Sequence, residues 1–262
     1  DALGRPLWLR AFGNGNVQRL GGMVIDDDGI LLAGTLAGTL SFDSVELTAS
    51  GLDGLLVRLD HDGAVVAAEG FGGPNNQLVE GIAARPSGFV LIGRHRGALV
   101  RGSYSVTNDD TDNNFDGFVL ALGASGNGTG AGDVEWASIA EDPTLDATQR
   151  FLGVAVAADG AVTVVARFDG NVVGTWEGNA FGGNGSSDAA IGRFAAGGAL
   201  SWQGQLAGGG FDTIDDVVIH GSGVAVVGHF GGTLDALTGA GADCGESFSG
   251  DGRDGIVLGS SD

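Results

Sequence analysis

A turn glycine followed at once by a short apolar run occurs four times along this chain. The four are Asp28-Gly29 before ILLAG, Ser87-Gly88 before FVLIG, Asp159-Gly160 before AVTVVA, and Ser222-Gly223 before VAVVG. A second glycine answers each one nine or ten residues on, at Gly38, Gly97, Gly170 and Gly232, closing the segments TLAG, RHRG, RFDG and HFGG. Such runs are strand-length, and glycine at both ends marks them off from a buried helix. Spacing that recurs over tens of residues points to a repeated supersecondary unit, which constrains the fold more than any single motif.

A second anchor keeps the same rhythm. An aspartate introduces a further apolar run at Asp53 (LDGLLVRL), Asp116 (FDGFVLAL), Asp188 (SDAAIGRF) and Asp254 (RDGIVLGS). The steps between these aspartates are 63, 72 and 66 residues, against 59, 72 and 63 for the turn glycines. A third anchor, Trp8, Trp136 and Trp202, with Ala67 in the remaining copy, opens extended segments such as WLRAFG and WQGQLAG. Glycine supplies 52 of the 262 residues. Each costs about 1 kcal/mol in a helix relative to alanine, which excludes a helical bundle, and no three-residue period supports collagen. With 43% hydrophobic and 17% charged residues, the chain has material for a core that a disordered segment lacks.

Each repeat reads as four short strands, in the second copy Val65 to Phe71, Leu78 to Arg85, Phe89 to Arg96 and Gly117 to Leu122. Asp133 to Leu152 reads as a surface insertion in which PTLDATQR forms one or two helical turns. Four antiparallel strands per unit predict an all-β fold, a β-propeller of four blades within one domain, residues 1-262. The blades span approximately 14-74, 75-140, 141-206, and 207-262 plus 1-13, the N-terminal strand completing the last blade and removing its open edge. An open array of blades, or part of a larger propeller, is the alternative.

The repeated pattern resembles the bacterial β-propeller repeat family of secreted and surface lipoproteins of Gram-negative bacteria. The residues that carry it are Gly231-Gly-Thr-Leu-Asp235, Leu52-Asp-Gly-Leu-Leu-Val-Arg-Leu-Asp60 and Asp116-Gly-Phe-Val-Leu-Ala-Leu122. The resemblance implies a propeller in an extracellular or cell-envelope setting and transfers no catalytic signature.

Twelve basic residues, all arginine, against 33 acidic ones give a net charge of −21. That balance leaves no basic stripe for nucleic acid, and the absence of lysine excludes Schiff-base chemistry and a phosphate loop of the GxxxxGK[ST] type. No apolar run is long enough for a membrane span. The single cysteine, Cys244, has no partner for an internal disulfide. His61, His95, His220 and His229 form no zinc signature, and no G-x-S-x-G elbow is present, so the chain reads as non-enzymatic.

Two groups of residues stand out as candidate sites. Asp109, Asp110, Asp112, Asn114 and Asp116 offer the oxygens of a calcium loop, without EF-hand spacing. Arg94, His95 and Arg96, extended by Arg101, concentrate positive charge on an acidic chain and fit a carboxylate-bearing partner, and Trp176 is a candidate stacking residue. The resulting expectation is a binding or scaffold module acting through the variable connections between second and third strands, with a protein partner or a larger assembly. A carbohydrate-binding lectin, and a hydrolase or lyase with its site at the propeller mouth, are the alternatives.

Overall fold

The computed structural model describes residues 5-108, 114-124, 129-141, 148-170, 173-182, 186-221, 223-238 and 247-259. Every regular element among them is a β-strand. The first unit contains β1 (Gln18–Asp26), β2 (Gly29–Phe42), β3 (Val45–Leu59) and β4 (Val65–Phe71). The second contains β5 (Asn76–Arg85), β6 (Gly88–Arg96), β7 (Ala98–Arg101), β8 (Tyr104–Thr107), β9 (Asp116–Gly123) and β10 (Val134–Glu141). The third contains β11 (Gln149–Val156), β12 (Val162–Asp169), β13 (Val173–Trp176), β14 (Asn179–Gly182), β15 (Ser187–Phe194) and β16 (Leu200–Gly208). The fourth contains β17 (Thr213–His220), β18 (Gly223–Thr238) and β19 (Ser247–Gly259).

The anchors mark recurring geometry. The first strand of every unit carries a β-bulge at one place, between Leu20 and Gly22, Val79 and Gly81, Phe151 and Gly153, and Ile214 and Asp216. A bulge adds a residue, strengthens the local twist and is a designed feature when it recurs. Gly38, Gly97, Gly170 and Gly232 all have positive φ, between 65° and 99°, which only glycine adopts without strain. The third unit reaches its second glycine one residue late because its first turn is longer: Val156 faces Val162, whereas Asp26 faces Gly29 directly.

The four-bladed propeller does not form. The strands join into two large sheets, a ten-stranded mixed sheet in the order β1-β2-β3-β5-β6-β9-β10-β13-β14 with β4 on β3, and a seven-stranded sheet, β11-β12-β15-β16-β18-β17 with β19 on β18, while β7 and β8 form a separate two-stranded sheet. Neither sheet closes on itself, so neither a ring nor an array of separate blades describes the chain. The first and second units join where Leu52 of β3 pairs in parallel with Asn76 of β5, and the others are joined by the connections between second and third strands. Each connection is a hairpin, and two of them add to the outer strand of the unit before. Thr175 and Trp176 of β13 pair with Glu141 and Ala140 of β10, and Leu234 and Asp235 of β18 pair with Gly208 and Ala207 of β16. An exposed strand edge attracts such pairing.

The N-terminal closure is also not seen. Residues 5-13 form no strand and lie on the first unit, where Trp8 Nε1 donates to His61 O at 3.1 Å and Arg10 Nε to Gly63 O at 2.6 Å. Nor is Asp133 to Leu152 an insertion, because most of it is β10 and the start of β11; residues 142-147 lie outside the described residues.

The core lies between units. Leu31, Ala33 and Leu56 of the first pack with Val79 and Leu91 of the second; Val90, Ile92 and Val119 of the second pack with Phe151 and Val164 of the third. Val165 and Ile191 of the third pack with Ile214 and Val217 of the fourth. A further cluster, Leu36, Leu40, Phe42, Leu55, Val57 and Leu59, lies within the first unit, but the other three clusters each span two units, so neighbouring units depend on each other for stability.

Candidate functional site: an arginine cluster at the strand ends

Just below each bulge, the first and second strands present one cross-strand pair: Arg19 with Thr35, Leu78 with Arg94, Arg150 with Arg167, and Thr213 with His229. The fixed register puts these pairs at corresponding ends of the four units. Strand side chains alternate faces, so one residue further the second strand supplies a buried group instead, as His95 shows with no exposed surface.

Glu80 is the hub of the cluster. Its Oε1 lies 3.3 Å from Arg94 Nε and 4.0 Å from Arg19 Nη1, with a side chain only 7% exposed. Arg167 is paired through its Nε with Asp169 at 2.6 Å. Two phenylalanines lie beneath the guanidiniums: Cζ of Arg94 and Arg96 lies 5.0 and 5.7 Å from the Phe115 centroid, and that of Arg167 5.1 Å from the Phe211 centroid. Phe211 also stacks at 5.6 Å on His229, whose Nδ1 faces Asp215 at 3.1 Å.

Arg150 differs from its neighbours. Among the described residues it has no carboxylate within ion-pair distance, and its half-buried Nε has no hydrogen-bond partner. Burial pushes its pKa down, the positive charges of Arg167 and Arg94 add to this, and Asp169 and Glu80 oppose it only in part. Arg19, Arg94, Arg96, Arg150 and Arg167 thus gather around Glu80 and Asp169, on a chain whose overall charge is −21. Such an arrangement can bind an anion, above all a carboxylate, which guanidinium forks grip in two places.

Of the residues singled out in the sequence, Arg94 and Arg96 lie in this cluster. His95 points inward, its Nδ1 3.0 Å from Gly97 O, and burial lowers its pKa to about 4. Arg101 lies apart, in a cleft of about 790 Å³, paired with Glu69 at 2.7 Å and lying 5.1 Å from the Phe71 centroid. Trp176 is fully buried among Phe151, Phe181 and Phe194, with Nε1 donating to Ser138 Oγ at 2.8 Å. Of the calcium candidates, Asp109, Asp110 and Asp112 lie outside the described residues, as does Cys244; Asn114 precedes β9, and Asp116 opens it opposite His95. Among the described residues no group of three or more His, Cys, Asp or Glu is placed to hold a metal ion.

Sequence reading missed Arg19, Glu80, Arg150 and Arg167. Their signal is position, for each arginine stands either ten residues before a turn glycine or six to seven after it. None of the protein-family models and none of the curated proteins compared matches the chain. No helix among the described residues is long and apolar enough to cross a membrane.

Proposed function

We propose that the chain is a non-catalytic binding module, working outside the cell or in its envelope, that docks the acidic side chains of a protein partner on its arginine cluster. The observation that carries this reading is Arg150, half-buried beside two further guanidiniums and, among the described residues, without a carboxylate within ion-pair distance. A cation compensated only in part in such a place costs stability, and an incoming carboxylate relieves that cost. A protein partner is favoured over a sugar because Phe115 and Phe211, the aromatic rings at hand, are already occupied by guanidiniums. A sugar needs an open ring face.

The test is calorimetric titration with an acetylated tetraglutamate peptide, and with tetraglutamine as the neutral control. Saturable binding of the acidic peptide alone is expected, weakened about tenfold or more in Arg150→Gln, a loss of roughly 1.4 kcal/mol. The melting temperature of that variant should not fall, because a repelled charge has been removed. Equal heats from both peptides, or unchanged affinity in the variant, would sink the proposal.

A further inference from the structure

The first and fourth units expose positions that every internal junction covers. At the bulge, the first strand of the second, third and fourth units carries Val79, Phe151 and Ile214, each at most 1% exposed because the preceding unit packs on it. The corresponding residue of the first unit is Leu20, which is 61% exposed, and Met23, three residues on, is 62% exposed. The opposite face shows the converse. Leu56, Val119 and Ile191, on the third strands, are at most 3% exposed beneath the following unit, whereas Val257, at the same register on β19, is 74% exposed. Its cross-strand neighbour Val227 is 46% exposed, while the matching Ala33, Ile92 and Val165 are buried completely.

A polar joint accompanies each junction and is likewise open at the ends. Leu52 pairs in parallel with Asn76, Gln149 N donates to Phe115 O at 2.8 Å, and Asp212 N donates to Ser187 O at 2.9 Å. In each case the residue just before a repeated aspartate meets the start of the next unit. The fourth aspartate, Asp254, is exposed and meets no such strand among the described residues.

The N-terminal residues extend the correspondence. Trp136, on the outer strand of the second unit, lies on the turn glycine Gly198 of the third, with Nε1 donating to Ala196 O at 3.0 Å. Trp8 lies the same way on Gly63 of the first unit. Residues 7-12 thus stand where the outer strand of a preceding unit would be, with Leu7 and Leu9 79% and 89% exposed and no strand alongside.

We infer that a second copy of this chain binds head to tail, the Val227 and Val257 face of one copy covering Leu20 and Met23 of the other. Its β19 edge then lies along residues 7-12. The interface is the one that three internal junctions already make, so the faces match without a new surface. It is heterologous, and each copy leaves one face free for the next.

The experiment measures mass by light scattering at concentrations from about 1 to 200 μM, on the full chain and on Met23→Glu and Val257→Glu. Both substitutions are at exposed positions, so neither threatens folding. Wild-type mass should rise with concentration to at least twice the chain mass, while each variant alone stays at the chain mass. Mixed in equal amounts, the variants should form a species of two chains and no more, because one intact head meets one intact tail. A wild type that remains a monomer at every concentration would overturn the inference. So would variants that associate as the wild type does, or a mixture that fails to pair. Peroxide oxidation of Met23, the single methionine, should slow as wild-type concentration rises; slow oxidation independent of concentration would mean that the chain covers its own face, and would also overturn it.

Discussion

The indole of Trp136 lies against the α-carbon of Gly198, so close that a Cβ there would be 2.6 Å from the ring. Gly198 also has φ near 90°. Both features oppose any side chain at this position, and Trp8 with Gly63 repeats the arrangement at 2.6 Å and φ near 81°.

Gly198→Ala should therefore destabilise the fold by about 1–3 kcal/mol, from overpacking added to strain. Gly178→Ala is the control, since its φ is 76° but nothing lies within 4 Å of a Cβ there. Urea melts should show the larger loss at Gly198. Equal losses would mean that the indole contact contributes nothing.

Asp212 occupies the place held in the other units by Gln18, Gln77 and Gln149. Burial raises its pKa to about 6; hydrogen bonds from Gly231 and Gly208 lower it, and the negative charge of Asp188 raises it further. The folded state thus prefers the protonated carboxyl. That preference is harmless below the ordinary pKa near 3.8, and stability falls as pH rises through about 6. Asp212→Gln, which restores the residue type of the other units, should gain thermal stability over the wild type between pH 4 and 7, then hold that margin at roughly pH 8. A margin independent of pH would show that the carboxyl does not titrate in this range.

His95 titrates with the opposite consequence. Its pKa is about 4 in the fold against an ordinary 6.5, so the unfolded chain takes up the proton first as the solution acidifies. The contribution is intact above pH 6.5 and is lost on the way down to about 4, at about 1.4 kcal/mol per pH unit. His95→Asn keeps a donor toward Gly97 O. Its stability deficit relative to wild type should shrink steadily between pH 7 and 4.5 in chemical denaturation; a constant deficit would contradict the buried neutral imidazole.

Trp176→Ala should cost about 3–5 kcal/mol, as expected for a fully buried aromatic that leaves a cavity. The loss should be larger than that of Trp8→Ala, since Trp8 is 37% exposed. Differential scanning calorimetry on both variants checks this order.

Periodic spacing made much of the chain legible. The turn glycines, the repeated aspartates and the apolar runs mark strand positions, and β4 has the bounds Val65–Phe71 that the sequence reading gives it, though it pairs with β3 of the first unit rather than joining the second. These features are local: a positive φ, a strand start and a two-residue alternation each depend on a few neighbours in sequence. Trp176 was not legible, since an indole in a glycine-rich connection reads equally as surface or core until the β13 hairpin folds back on β10. Arg94 and His95 adjoin in sequence, yet the pleat sends one into the charged cluster and the other inside.

By itself the sequence determined four β-units, their length and their strand polarity, because hydrophobic alternation and glycine turns act over short separations. Tertiary structure alone decided how the units join. Hairpins crossing to neighbouring edges, with the parallel pairing of Leu52 and Asn76, fuse them into two large open sheets, a pairing set by distant backbone hydrogen bonds that no local pattern encodes. It also decided that Arg19, Glu80, Arg94, Arg150 and Arg167, scattered over three units, meet at one end, because equal strand register carries equal positions together.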